Sequence, residues 1–277
     1  MKRIISIQDV SALGKCSLTV ALPIISAMGV ECAVVPTAVL STHTQFTGFT
    51  FCDLTDEMEP IAEHWKQQGF TFDAVYTGYL GSFRQVDIVK DYFAKFGAGA
   101  KIIVDPAMAD NGKLYAGFGP EFPAKMAELL PGADLVLPNL TEACFLLGKE
   151  YKEEYDRDYV RDILNGLAEK GAKIAALTGV SFKANELGVA SLDTATGEYS
   201  EYFTERMPQS FHGTGDIYSS AAVGALVRGL SAPEALALAA DYTVECIRLT
   251  LAEENHSWYG VNFEQATPYL LKRLGDV

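Results

Sequence analysis

The chain has 277 residues, of which 49% are hydrophobic and 21% charged, and a formal net charge of −14. That length is enough for one large domain with a sizeable core. The acidity argues against a general nucleic-acid binder and against docking on anionic membranes, although an anionic ligand needs only a local positive field.

Five scattered cysteines (Cys16, Cys32, Cys52, Cys144, Cys246) contain no Cys-x-x-Cys pair and read as reduced thiols of a cytoplasmic protein. Four dispersed histidines argue against a zinc site. The apolar stretch after Met1-Lys2-Arg3 is interrupted by Gln8 and Asp9, too early for a secretory signal. No window reaches the apolar length of a membrane span.

In chain order, Ile4 to Ile7 reads as a strand and Ser17 to Met28 as a helix closed by Gly29. Ala33 to Val35 is a second strand, and Thr55 to Gln68 a helix capped by Thr55 and ended by Gly69. Strand Ala74 to Thr77, helix Arg84 to Phe96 and strand Lys101 to Val104 follow. Leu135 to Leu137 is a further strand, and Thr141-Glu142 opens a short helix ending at Gly148. Asp158 to Glu169 is helical and Ile174 to Thr178 extended. Leu187 to Leu192 and Glu198 to Phe203 read as an antiparallel hairpin joined at Asp193 to Gly197. Two long helices close the pattern, Asp216 to Arg228 and Pro233 to Leu251. Apolar strands alternating with helices predict one α/β domain: a mostly parallel sheet covered on both faces, with an antiparallel edge hairpin. In such sheets ligands bind beyond the carboxyl ends of the strands. That places Asp9, the Ser41 to Thr47 loop, Tyr79, Asp105, Asn139 and Thr178 where chemistry is expected.

The segment His212-Gly213-Thr214-Gly215-Asp216 precedes a small, apolar helical run. Two glycines leave backbone amides uncovered at a helix N-terminus, which attracts phosphate through unpaired donors and the helix dipole. Asp216 stands at that mouth, where a carboxylate reaches a hydroxyl being phosphorylated, and near the dipole it is expected to stay ionised. The plainer reading is an ordinary helix start with Asp in its first turn.

Other candidates carry the same double reading. Asp105, before Pro106, suits a magnesium ligand or an Asx turn. In Pro138-Asn139-Leu140-Thr141-Glu142, Asn139 suits a nucleotide phosphate and Glu142 the metal or its waters, unless the pair simply starts a helix. The Ser41 to Thr47 loop mixes polar groups and rings, as a small polar aromatic ligand requires, and Tyr79 adds stacking area. The glycine-rich connection from Asp110 to Pro120 reads as a surface loop or a lid. No Walker-type loop and no protein-kinase signature is present.

Together these segments resemble the pyridoxal (vitamin B6) kinases of the ribokinase-like superfamily, of the kind found in Gram-positive bacteria. The resemblance runs from Ile5 to about Leu251. It rests on Ile7-Gln8, Ser41-Thr42-His43-Thr44-Gln45, Gly78-Tyr79-Leu80-Gly81-Ser82, Asp105-Pro106-x-Met108, Pro138-Asn139-x-x-Glu142 and Gly213-Thr214-Gly215-Asp216. It implies one ribokinase-like domain over residues 1–277 that phosphorylates the 5′-hydroxymethyl group of a B6 vitamer with ATP and Mg2+, as a homodimer. Asp216 would be the base, and Gly213, Thr214 and Gly215 the anion hole. Asp105 and Glu142 would hold magnesium, Asn139, Thr178 and Thr214 would contact ATP, and Asp9, Thr44, Gln45 and Tyr79 would line the vitamer pocket. The resemblance leaves a monovalent-cation requirement open.

The chain departs from that pattern at three places. Asp9 stands where many members have serine, which bears on vitamer preference. No cysteine lies between Met108 and Pro123, which disfavours dual activity on hydroxymethylpyrimidine. Thr178 replaces the usual basic group at the nucleotide strand. Alternative readings are a hydroxymethylpyrimidine kinase, an NAD(P)H-hydrate dehydratase and a non-catalytic vitamer sensor.

Overall fold

The computed structural model describes residues 1–276. In chain order the elements are β1 (Arg3–Leu13), α1 (Leu18–Ala27), β2 (Glu31–Thr42), β3 (Phe51–Asp53), α2 (Thr55–Gln67), β4 (Ala74–Thr77), α3 (Phe83–Phe96) and β5 (Lys101–Val104). Next come β6 (Ala109–Asp110), β7 (Lys113–Leu114), α4 (Phe122–Met126), β8 (Leu135–Val136), α5 (Leu140–Leu147), α6 (Arg157–Glu169) and β9 (Ile174–Val180). The chain ends with β10 (Glu186–Asp193), β11 (Tyr199–Glu205), α7 (Thr214–Arg228), α8 (Ala232–Leu251) and α9 (Phe263–Leu274).

Nine strands form one sheet in the order β11-β10-β9-β8-β5-β4-β1-β2-β3. The six central strands pair in parallel. The edges are antiparallel, β3 on one side and β10 with β11 on the other.

The two-residue period of the strands divides the core. Ile5, Ile7, Val75 and Val104 pack beneath α2 to α6. Ile4, Tyr76 and Ile103 face the opposite way, toward α1, α7, α8 and α9. Helices therefore cover both faces, which is why the central strands read as continuous apolar runs. No helix among the described residues is long and apolar enough to cross a membrane.

Several boundaries differ from the sequence reading. Strand β1 runs on through Gln8, Asp9 and Ser11, all buried, and β2 extends to Thr42. Thr55 is not the cap of α2; the Asp53 carboxylate accepts from the Thr55 N–H at 2.7 Å and from its hydroxyl at 2.5 Å. Strand β3, helix α4 and helix α9 were not expected. Pro268 lies inside α9 and disguises it, since proline removes a ladder donor.

Candidate functional site

The carboxyl ends of the central strands converge on the start of α7. Gly213 is its N-cap in the left-handed region, φ 80°, and no side chain caps the helix. The first recorded bond of its ladder runs from Ile217 N–H to Gly213 C=O. The amides of Thr214, Gly215 and Asp216 thus open on the mouth, the arrangement that binds anions. Thr214 Oγ1 donates to Phe211 C=O at 3.0 Å and closes the preceding turn.

Asp216 is oriented from the start of the neighbouring helix α1, on the same face of the sheet. The Ser17 N–H donates to its Oδ2 at 3.0 Å, and Oδ1 makes no hydrogen bond among the described residues. Ser17 takes φ 51°, a strained value for serine, and so brings its amide to this carboxylate. Burial pushes the Asp216 carboxyl up to about 7; the Ser17 amide opposes the rise and the Asp9 charge adds to it. The expectation of a fully ionised Asp216 is therefore corrected, because desolvation outweighs the helix dipole.

On α7, one turn beyond Asp216, the buried Ser219 hydroxyl donates to Asp105 Oδ2 at 2.6 Å. Burial raises the Asp105 carboxyl, with the Asp216 charge a further cause. Glu142, also buried, completes a capping box: its Oε2 accepts from Asn139 N–H at 2.9 Å, while Asn139 Oδ1 accepts from Glu142 N–H at 2.9 Å. Its Oε1 accepts from Met108 N–H at 3.1 Å. Burial, then the Asp105 charge, raises Glu142 as well. The capping reading of Glu142 is thus realised, and the same side chain anchors the segment that follows Asp105. Asn139 Nδ2 donates to Ala109 C=O at 2.9 Å, which leaves its second amide hydrogen for a ligand. Thr178 bridges Asn139 across the strand ends, its N–H donating to Pro138 C=O at 2.9 Å.

The other end of the site gathers Asp9, His43, Tyr79 and His212. Asp9 lies at a register irregularity of β1 against β2, with the Ser11 hydroxyl donating to Oδ2 at 3.1 Å. His43 Nδ1 accepts from Gln45 N–H at 3.3 Å, so its Nε2 donates to Tyr259 C=O at 3.0 Å. The His43 and His212 rings lie 4.2 Å apart. Burial, then the neighbouring His43, lowers His212 to about 4, so it is neutral at physiological pH. Thr44 and Gln45 are exposed on the loop, whereas Tyr79 is half-buried with its ring 5.5 Å from Phe118.

The Asp110 to Pro120 connection is not plain loop. Strands β6 and β7 form a small hairpin through Asn111-Gly112, both at positive φ. Gly112 N–H donates to Thr141 Oγ1 at 3.0 Å, tying the hairpin to α5. Phe118 stacks on Phe122 at 4.0 Å.

Sequence reasoning missed Ser17, Ser219, His212 and the Trp258-Tyr259 segment that packs on Phe46. Only Ser219 carried a local signal, one of two adjacent serines a turn after Asp216, ahead of a small apolar run.

Asp9, Asp105, Glu142 and Asp216 share one feature. Among the described residues none of them takes part in an ion pair. Burial without a cation raises all four carboxyls, the kind of perturbation that clusters at functional sites.

A model of the phosphomethylpyrimidine kinase family matches residues 22–260. The chain belongs to this family. Among solved structures, one from Bacteroides thetaiotaomicron, described as a candidate phosphomethylpyrimidine kinase and determined with pyridoxal, is 38% identical. It has a TM-score of 0.92 and covers 97% of this chain and 95% of its own. The pyridoxal kinase of Lactobacillus plantarum is 32% identical with a TM-score of 0.90, over 98% of this chain and 97% of that one. The pyridoxal kinase of Dictyostelium discoideum is 23% identical over 98% of this chain and 93% of its own length.

Proposed function

We propose that this family member is an ATP-dependent vitamin B6 kinase that phosphorylates the 5′-hydroxymethyl group of a vitamer, with residues 1–277 as one catalytic domain. The observation that carries the reading is the uncapped α7 N-terminus with Asp216 held beside it by the Ser17 amide. The pyridoxal kinase relatives support the choice of substrate.

In this reading Asp216 receives the hydroxyl proton at Oδ1 while Ser17 fixes Oδ2. The vitamer oxygen bonds to the γ-phosphorus as the bond to the bridging oxygen breaks and ADP leaves. The amides of Gly213, Thr214 and Gly215 receive the charge of the transferring group. Asn139 and Thr178 meet the nucleotide further along the strand ends. Positioning and charge stabilisation are most of what phosphoryl transfer requires.

The donor set fits Mg2+, which takes one or two carboxylates and keeps several waters. Both Glu142 oxygens already accept backbone amides, so Asp105 would be the main carboxylate to hold the ion and Glu142 would add negative charge beside it. When bound, the ion would neutralise phosphate charge. The reading carries with it a homodimer, which rests on family resemblance, and a cytoplasmic location, in keeping with the unpaired cysteines.

Incubation with MgATP and each vitamer in turn, followed by mass spectrometry, is expected to yield vitamer 5′-phosphate and ADP. Product from hydroxymethylpyrimidine alone would overturn the vitamer assignment. That arm is included because of the family model that the chain matches.

The carboxyl shifts give a second expected result. Asp216 moves from an ordinary 3.8 to about 7 on folding. A raised carboxyl stabilises the folded state at low pH, and that contribution fades as pH climbs from the unfolded value through the folded one. The unliganded protein should lose thermal stability across that window. Magnesium with ADP should raise the melting temperature more at about pH 8 than at about pH 5.5, and Asp105→Asn should flatten the difference. A pH-independent shift would remove these carboxylates from the metal site.

A further inference from the structure

Asp9 is an acceptor without a matching charge. It is 5% exposed, and its carboxylate takes the Ser11 hydroxyl at 3.1 Å. The charged and titratable groups whose fields reach it are His43, Tyr79, Cys16 and Asp216. None is a cation at neutral pH: burial lowers His43, burial raises the Tyr79 hydroxyl and the Cys16 thiol, and Asp216 is itself acidic. Arg3 and Lys15 are the basic residues nearest in sequence, and both are spent, Arg3 on Glu31 at 2.8 Å and Lys15 on Asn262 at 3.1 Å and Glu264 at 2.9 Å. A carboxylate this deeply buried is costly unless something positive meets it.

The fold presents this carboxylate deliberately. β1 slips register against β2 between Gln8 and Val10, and such irregularities re-aim side chains beside active sites. Asp9 stands at that slip, near enough to His43, Tyr79 and Asp216 for their charges to act on one another.

We propose that Asp9 is the specificity-determining residue of the vitamer cavity, and that it pairs with a protonated nitrogen of the substrate. This rests on the vitamin B6 reading above. Two nitrogens can carry the charge, the amine of pyridoxamine and the ring nitrogen shared by all vitamers. Either supplies what the protein withholds, a cation in hydrogen-bonding contact with Asp9. The vitamer thereby neutralises the cavity before the phosphoryl group arrives, and a neutral isostere gains nothing there.

The test compares wild type, Asp9→Asn and Asp9→Ser with pyridoxamine, pyridoxal and pyridoxine, reading kcat/KM, the KM for ATP and the melting temperature with and without vitamer. With the amine as partner, Asp9→Asn loses about 30-fold or more for pyridoxamine and only a few-fold for pyridoxine. With the ring nitrogen as partner, all three vitamers lose activity, and the loss shrinks as rising pH deprotonates the ring. In both cases the KM for ATP holds steady. The unliganded Asp9→Asn protein melts no lower than wild type, because it no longer buries an unmatched charge.

Equal losses for every vitamer at every pH, or a lower melting temperature without ligand, would give Asp9 a purely structural role and overturn the proposal. Unchanged preference in both variants would overturn it too. Should wild type phosphorylate no vitamer, the kinase reading fails by itself. Calorimetric binding of pyridoxamine and pyridoxine to wild type and Asp9→Asn then still decides the pairing.

Discussion

Replacing Asp216 with asparagine should lower the single-turnover rate of vitamer phosphorylation by about 1,000-fold or more, within the range a positioned general base contributes. The substitution keeps the shape of the side chain and an oxygen for the Ser17 N–H, so the anion hole and α7 stay in place. The KM values for ATP and vitamer should therefore move by only a few-fold, the pattern of an interaction made in the transition state alone. Stability should move the other way. The native carboxyl is pushed up to about 7 by burial, so above that pH wild type carries an unfavourable buried charge that asparagine lacks. Denaturation at about pH 8 should show the variant at least as stable as wild type. Slow turnover in a protein that is not destabilised separates loss of chemistry from loss of fold. Near-normal turnover would remove Asp216 from the proton transfer.

The sequence discloses what is local and periodic. The β/α alternation, the edge hairpin and the glycine-rich entry to α7 are each written within a short window, and all are present in the fold. Strand β1 shows where this stops. Gln8, Asp9 and Ser11 are polar and buried, so hydrophobic patterning ends the strand at Ile7 although the backbone ladder continues to Leu13. Those polar residues are met by local side-chain hydrogen bonds, Gln8 to Ser6 and Ser11 to Asp9, which a hydrophobic pattern does not register.

Contacts distant in sequence were not legible. Nothing near Ser17 announces that its amide reaches Asp216, and nothing near His43 names His212 as its neighbouring ring. The reverse held at Asn139 and Glu142, where a helix-capping spacing and a ligand set look alike. The structure shows both side chains serving as caps.

Gly213 and Gly215 lie two positions apart in one motif, yet their substitution should fail for different reasons. Gly213 has φ 80°, and a Cβ built there would lie 1.8 Å from the Lys15 carbonyl oxygen. Alanine must meet both the left-handed penalty and a clash with backbone, together about 2–5 kcal/mol. The strand-to-helix segment it would displace carries Ser17, whose amide orients Asp216. Gly213→Ala should thus lose stability and activity together, with urea denaturation showing an earlier midpoint at unchanged slope. At Gly215 a Cβ meets nothing within 4 Å and the backbone is helical. Alanine there should leave stability unchanged or improve it by up to about 1 kcal/mol. Its methyl group nonetheless projects from the turn proposed as the anion hole, so on that reading activity should fall in a stable protein. If Gly213→Ala were as stable as wild type, the Lys15 carbonyl would have to yield freely, and the rigid link from β1 to the base would not exist. If Gly215→Ala kept full activity, the phosphoryl group could not pass over this turn, and the anion hole would have to be sought elsewhere along the strand ends.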